Sequence, residues 1–497
     1  MSTSYLDNYY ARLGVPMDAS PETIRSAYFL AARHYHPDSN SDLASTELFL
    51  QIQEAYEHLS DPVQRSSYDL TIPSDITPPA EIFINPLYSR TALPLIDETQ
   101  LVYILLDMMP TPSESDSRGN SNTSPPLNIS LVIDTSTSMA GKRMDVVKSS
   151  ATELLRRLNP EDTLSIVTFN DRAEIILPAS RGEDYHTLES RISFLQTGGG
   201  TEMFQGLKAG FKEVNQNISS TSVNHIILIT DGRTYGDEEK CLNLAKNAST
   251  KGVTISALGI GSEWNDEFID QLTAITGGSS AYAAKPRDIR KFFKSKLDRL
   301  SSTYADKVSM QMTTGENVDL RYAFRLSPEP GPLATEPEMN LGHIPRESSL
   351  SVIMEFAVES IPPDSESLVI ANGSLKLDVP SRTNPSSTSR FSFIRPVVAA
   401  SNNDPPPQAL IKAMARLSLY RLQEQARLDF SNGDVEKATT RLQNLATQLL
   451  LSGEPDLAQT VMLELKSIET GSIISDETKK KIKYGTRALL LPAGEIK

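Results

Sequence analysis

The sequence predicts a multidomain chain: an all-α module, then an α/β doubly wound domain inserted in a β-sandwich, then an α-helical C-terminal tail. Three observations carry this. Apolar residues recur at helical spacing through residues 1–70. Across 126–300, short, nearly continuous apolar runs alternate with amphipathic stretches. On both sides of that segment, period-two alternation marks strands of an antiparallel sheet with one wet face.

The chain has 497 residues, more than one hydrophobic core supports. Its formal net charge of −15 argues against nucleic acid as a partner. A single Cys241 excludes an internal disulfide framework and fits a reducing compartment. The opening MSTSYLDNYYARLG has neither a basic n-region nor an apolar h-region, so no signal peptide is expected. No apolar run approaches the ~18 residues of a spanning helix. The expectation is a cytoplasmic protein with no membrane span.

Residues 1–70 open with Tyr9, Tyr10 and Leu13, ending at Gly14. Ser20-Pro21-Glu22 is an N-cap, a first-turn proline and a first-turn acid. Ile24, Ala27, Tyr28, Ala31 and Tyr35 follow at helical spacing, and the helix stops at His36-Pro37-Asp38. A second amphipathic helix carries Phe49, Ile52, Tyr56 and Leu59, and Asp61-Pro62 opens a last short one near Tyr68-Asp69. HPD between two such helices, with Ala55-Tyr56 and Arg65 in place, resembles a J-domain, the module of DnaJ-like co-chaperones. The resemblance implies that His36, Pro37 and Asp38 contact a DnaK-type chaperone of the heat-shock-seventy class and stimulate its ATPase. The family's preceding helix is rich in lysine and arginine. Here, between Glu22 and Tyr35, the cations are Arg25 and Arg33 alone, with His34 mostly neutral at pH 7. Steering toward an acidic partner surface is accordingly weaker.

Residues 71–80 hold Pro73, Pro78 and Pro79 and read as an extended linker. Residues 81–125 supply the first strands of the sandwich, around Phe83, Leu87, Leu95 and 101–106. A mobile loop rich in Ser, Asn, Gly and Pro follows, from Pro110 to Pro126.

Within 126–300, the β-forming run 129–133 ends on Asp134, with hydroxyls at Ser136 and Ser138. The loop at the carboxyl end of such a strand is where an open α/β sheet places its ligand. A carboxylate and two hydroxyls there suit a hard cation, Mg²⁺ or Mn²⁺. Two later stretches can complete the site: Gly198-Gly199-Gly200-Thr201, and the apolar run 225–230 ending on Asp231. Asp-x-Ser-x-Ser with a distant Thr and a distant Asp resembles the metal-ion-dependent adhesion site of the von Willebrand factor A domain. The resemblance implies a metal held by Asp134, Ser136, Ser138, Thr201 and Asp231, directly or through water. Strands at 164–169, 253–258 and 280–283, and helices at 143–158, 184–195, 203–215, 237–251, 265–276 and 286–300, complete the alternation.

Residues 301–400 return to strands, pairing with 81–109 to close the sandwich. Residues 401–497 read as four helices separated by Gly433, Gly453 and Gly471. The loop at 198–201 lacks the Gly-Lys-Ser/Thr ending of a P-loop, and no HExxH pair occurs. Asp237-Glu238-Glu239 reads as a solvent-facing first turn of a helix. No enzymatic activity is expected. The leading expectation is an adaptor co-chaperone that recruits a DnaK-type ATPase and holds a client or complex partner offering a carboxylate to the metal. The alternatives are a non-catalytic assembly or scaffold protein, and an A-domain partner of a MoxR-like ATPase.

Overall fold

The computed structural model describes residues 9–13, 15, 19–35, 43–69, 82–110, 124–182, 185–233, 236–381, 385–399, 405–469 and 475–491. His36, Pro37 and Asp38, the expected linker 71–80 and most of the expected loop 110–126 lie outside them.

Helices α1 (Tyr9–Leu13), α2 (Pro21–Tyr35), α3 (Leu43–Ser60) and α4 (Pro62–Asp69) open the chain. Strands β1 (Ile82–Tyr88), β2 (Leu93–Pro94) and β3 (Gln100–Pro110) follow. Next come β4 (Leu127–Asp134), α5 (Lys142–Arg157), β5 (Thr163–Phe169), β6 (Ala173–Arg181), α6 (Tyr185–Ser193) and α7 (Met203–Asn215). The segment continues with β7 (Val223–Thr230), α8 (Glu238–Thr250), β8 (Thr254–Ile260), α9 (Asp266–Ile275), β9 (Ser280–Ala283) and α10 (Pro286–Ser301). Strands β10 (Thr303–Thr314), β11 (Val318–Ser327), β12 (Gly331–Pro332), β13 (Glu338–Pro345), β14 (Leu350–Val358), β15 (Ser367–Asp378) and β16 (Ser386–Val398) precede the tail. The tail is α11 (Gln408–Ser431), α12 (Val435–Leu451), α13 (Pro455–Glu469) and α14 (Asp476–Ala488).

Two compact units divide these elements. One holds the described residues up to 125 together with 302–413; the other holds 126–301 together with 414–491. In the first, the Ser20 hydroxyl accepts from Thr23 N at 3.1 Å, and Asp61 Oδ1 accepts from Val63 N at 2.8 Å, so α2 and α4 start on side-chain caps. Tyr10, Leu13, Ile24, Ala27, Ile52, Ala55 and Leu59 form the helical core, with Tyr28 stacked on Tyr56. Phe83 of β1 and Met109 of β3 belong to the same cluster, so this core extends onto the first strands. The sandwich stacks two five-stranded sheets, ordered β1-β3-β14-β11-β12 and β13-β10-β15-β16-β2. Its strands come from both sides of the α/β segment in sequence, because β3 pairs with β14 from Leu101↔Ala357 to Met108↔Leu350. One expectation fails here. β14 has no wet face, since all nine of its residues are buried.

In the second unit the sheet runs β6-β5-β4-β7-β8-β9. All pairings are parallel except β5 with the edge strand β6. β4, β5 and β7 are buried along their whole length, which is why they read as continuous apolar runs. Asp237 is another correction. It is buried rather than solvent-facing, and its Oδ2 accepts from Phe204 N at 2.7 Å, capping α7.

The tail is fastened to this sheet's β9 side. On α14, Lys480, Lys483, Tyr484 and Arg487 recur at i, i+3, i+4 and i+7, one face of the helix. They meet Asp266 and Asp270 of α9. Lys483 Nζ lies 2.6 Å from Asp266 Oδ2 and 2.8 Å from Asp270 Oδ2, and Arg487 Nη2 lies 2.7 Å from Asp270 Oδ2. Arg427 of α11 adds a 2.7 Å contact to Asp266. Burial raises both carboxyls. Lys483 and then Arg427 outweigh it at Asp266, holding it down to about 2. Arg487 and then Lys483 do the same at Asp270, which is pulled well below the carboxylate range. Trp264, the sole tryptophan, is buried at this joint, with Lys480 Nζ 5.1 Å from its ring.

Arg487→Met should destabilise the second unit by about 3–5 kcal/mol, because it removes one partner of a buried ionic cluster. Adding Asp270→Leu should recover most of that, since Lys483 keeps Asp266. Urea unfolding followed by Trp264 emission reads both. The depressed carboxyls stabilise the folded state above an aspartate's ordinary 3.8, and the contribution fades as pH falls toward about 2. Acid titration should therefore release the tail, with a red shift of Trp264, between roughly pH 4 and pH 2.

Candidate metal centre

Parallel pairing of β4 with β7, ending at Ile133↔Ile229, carries the chain of each strand out to an aspartate. Asp134 and Asp231 are both fully buried. Asp134 Oδ1 accepts from Ser136 N at 2.8 Å, and Oδ2 from Thr230 Oγ1 at 2.7 Å. Asp231 Oδ1 accepts from Ser138 Oγ at 2.6 Å, and the Ser136 and Ser138 hydroxyls are 3.1 Å apart. The glycine loop is tied in from the side: Gly198 N donates to Thr135 O at 2.7 Å, and the Thr137 hydroxyl donates to Gly199 O at 3.1 Å. Thr201 reaches the second loop because residue 232 is glycine; a Cβ there would stand 2.9 Å from Thr201 Oγ1. Gly141, at φ +77°, lets the chain turn sharply into α5. The structure thus brings Asp134, Ser136, Ser138, Thr201 and Asp231 to one end of the sheet.

Two participants were missed in the sequence. Thr230 orients Asp134, and its only signal was adjacency to Asp231. Arg143 places Nη1 2.6 Å from Asp231 Oδ2. A cation in the first turn of α5 opposes the helix dipole, and that local conflict was the available clue.

Burial chiefly, with a further push from Asp231, holds the Asp134 carboxyl above its ordinary range, although Ser136 and Thr230 donate to it. Both of these donors are uncharged, so the centre holds two buried carboxylates against one half-exposed guanidinium. Two carboxylates and neutral hydroxyls fit a hard cation that keeps waters. The described residues include no group of three or more His, Cys, Asp or Glu placed to hold a metal ion.

At the amino-terminal module, Arg25 is exposed on α2, its guanidinium 5.6 Å from the Phe29 ring. Arg33 lies in α2, but its side chain is outside the described set, as are His36, Pro37 and Asp38. His58 stacks on Tyr9 at 4.5 Å, and His225 and Cys241 are buried packing residues.

A carboxyl raised above 3.8 favours the folded state at low pH and penalises it as pH rises. Asp134→Asn should therefore raise the metal-free melting temperature at pH 7. The amide keeps Oδ1 for Ser136 N, and its Nδ2 can donate to Thr230 Oγ1. Thr230→Val should lower that temperature, costing about 1–3 kcal/mol by stranding a buried carboxylate oxygen. Calorimetry in chelator checks both.

The sequence matches the DnaJ domain family over residues 8–69 and the von Willebrand factor type A domain family over 128–298. It also matches the Sll0103-like, C-terminal alpha-helical domain over 408–492. Uncharacterized protein sll0103 of Synechocystis sp. is 26% identical over 379 residues, 74% of this chain and 89% of that protein. Chaperone protein DnaJ 2 of Thermus thermophilus is 52% identical over 62 residues, 12% of this chain and 22% of that protein. A von Willebrand factor type A protein from Catenulispora acidiphila superposes with a TM-score of 0.64 at 13% identity, covering 81% of this chain and 96% of that one. The ArnB paralog VWA2 from Sulfolobus acidocaldarius gives 0.53 at 15% identity, covering 82% and 98%. At such identity the structures speak for the fold. The described residues hold no helix long and apolar enough to cross a membrane. The chain is therefore a fusion of a DnaJ domain with a von Willebrand factor type A domain, followed by a helical C-terminal region.

Proposed function

We propose that this chain is an adaptor co-chaperone. Its DnaJ domain recruits a DnaK-type ATPase through His36, Pro37 and Asp38, with Arg25 and Arg33 as the basic flank. Its A domain holds a client or complex partner through Mg²⁺ or Mn²⁺ at Asp134, Ser136, Ser138, Thr201 and Asp231. The observation that carries the reading is the presence, in one chain, of a DnaJ domain and an under-neutralised oxygen cluster. A bound divalent ion would supply an electrophilic position for a partner's carboxylate. The chain's own groups do the rest. Asp134 and Asp231 bring charge, and the three hydroxyls bring neutral oxygens. Ser136 N and Thr230 hold Asp134 in place. Arg143 neutralises Asp231 when nothing else does. The chain itself performs no catalysis in this reading.

One observation favours a second reading. With only Arg25 and Arg33 as cations between Glu22 and Tyr35, α2 steers weakly, which suits a protein that docks or assembles without strong stimulation. An A-domain partner of a MoxR-like ATPase is a separate alternative, resting on the A domain alone.

The full chain should raise the steady-state ATPase rate of a DnaK-type chaperone several-fold, and His36→Gln should remove the effect. Equal rates for the two proteins would sink the co-chaperone reading and leave the assembly role. The chain alone should turn over no ATP. Mg²⁺ at 100-fold over its Kd should stabilise the second unit by about 2.7 kcal/mol. The same ion should leave the melting of Asp134→Asn unmoved. Failure of that difference, with partner capture indifferent to chelator, would overturn the metal site.

A further inference from the structure

Acids outnumber bases in this chain, 63 to 48, yet α10 concentrates positive charge. Lys285, just before it, and Arg287, Arg290, Lys291 and Lys294 on it are all exposed. The last four stand at i, i+3, i+4 and i+7 and so share one face. The opposite face, with Ile289, Phe293, Leu297 and Leu300, is buried in the core of the A domain.

Little in the chain answers this charge. Asp288, the one acid between Lys285 and Lys294, is taken up where the helix starts. Its Oδ2 accepts from Lys285 N at 2.8 Å, and its Oδ1 lies 3.7 Å from Arg287 Nε. Among the described residues, the side chains of Lys285, Arg290, Lys291 and Lys294 form no ion pair. Asp145 and Glu153, on the adjoining α5, are exposed and do not pair with them. One turn further on, Asp298 of α10 does pair with Arg157 of α5, so the two helices can exchange ion pairs and do so only there. The row also works against its own helix. Like charges three and four residues apart repel, and Arg287 sits at the positive end of the helix dipole. A local conflict of this kind is a mark of a functional surface.

The shape of the row selects among polyanions. From Arg287 to Lys294 it runs about 10 Å at 1.5 Å per residue. An extended peptide covers that in three or four residues at ~3.3 Å each. A duplex or a bilayer would reach well past the row and set its negative field against a chain of net charge −15. A membrane-bound helix also inserts its apolar side chains, and those of α10 are already buried. β8 and β9 run parallel to β4 and β7, so α10, leaving the carboxyl end of β9, starts at the same end of the sheet as Asp134 and Asp231.

We propose that the exposed face of α10 docks an acidic segment of a partner protein, a short run of Asp and Glu residues whose carboxylates accept from Arg287, Arg290, Lys291 and Lys294. The surface needs no metal.

The test is fluorescence anisotropy of labelled hexaglutamate with the full chain, in chelator and at about 20 mM salt, where exposed charges are little screened. Binding should be saturable. The triple variant Arg290→Gln, Lys291→Gln, Lys294→Gln should bind about tenfold more weakly, as three exposed ion pairs of ordinary strength would together supply. A control with the same change of charge, Lys212→Gln, Lys240→Gln, Lys246→Gln, alters exposed lysines of α7 and α8, which pack on the other face of the sheet. It should bind within about twofold of the native chain. The triple variant should melt no lower than the native chain, because it relieves repulsion and breaks no contact. Neither a short DNA duplex nor vesicles of equal parts phosphatidylcholine and phosphatidylserine should displace hexaglutamate at an equal concentration of negative charge. The proposal is overturned if hexaglutamate does not bind saturably, or if the triple variant and the control lose affinity alike. It is equally overturned if the triple variant melts lower, which would assign the row to the fold, or if duplex or vesicles displace the peptide. Chelator is present throughout, so failure here leaves the metal reading untouched, and failure of the metal reading leaves this result standing.

Discussion

The parallel pairing of β4 with β7 is the constraint from which the candidate centre follows. Both strands are buried on every residue, and each leads at its carboxyl end to an aspartate: Asp134 closes β4, and Asp231 follows Thr230 of β7. Pairing through Ile133↔Ile229 brings the two strand ends to the same level. Everything around them answers the cost of two desolvated carboxylates in one place. The Ser136 amide, the Thr230 hydroxyl, the Ser138 hydroxyl and the Arg143 guanidinium all donate inward.

A comparison within the second unit shows why that answer is incomplete. Asp266 and Asp270 are also buried, and they also lie near one another. Arg427, Lys483 and Arg487 surround them at 2.6–2.8 Å, and their carboxyls are driven down. Among the described residues Asp134 has no such neighbour, and its carboxyl is driven up. The same residue type under the same desolvation moves in opposite directions because charge is supplied at one place and withheld at the other. A fold that can neutralise buried aspartates, and does so fully at the joint with α14, leaves Asp134 under-neutralised at the strand ends. In the proposed reading, that under-neutralised carboxyl is what a divalent cation would meet.

How much of this the sequence disclosed depends on separation along the chain. The α/β alternation, the serines after Asp134 and the J-domain helices are local patterns, and the structure contains them. The cluster of Asp134, Ser136, Ser138, Thr201 and Asp231 was legible because each member ends a recognisable strand or loop. The joint at α14 was not. Lys480, Lys483 and Arg487 look like a solvated basic face, and only Asp266 and Asp270, more than 200 residues earlier, make them core residues. Asp237 misled for a related reason: an acid in a helix's first turn looked outward, yet it caps a different helix. The full burial of β14 was hidden because nothing in one strand's alternation tells what covers its second face.

The tail also touches the supports of the centre itself. Arg233, two residues beyond Asp231, donates through Nε to Glu263 O at 2.9 Å and pairs through Nη2 with Asp476 at 3.3 Å. Lys480 donates to Ser262 O at 2.7 Å. Gly261, next in the same loop, passes close to Arg143; a Cβ there would stand 2.8 Å from the guanidinium that holds Asp231. The loop at 261–264 thus lies between the cation at the centre and the first turns of α14, with Trp264 packed beneath it. A helix that looks in sequence like an appendage thus packs against the loop that approaches Arg143. Residues 414–491 and the A domain fall in one compact unit, and the loop at 261–264 is one surface on which they meet.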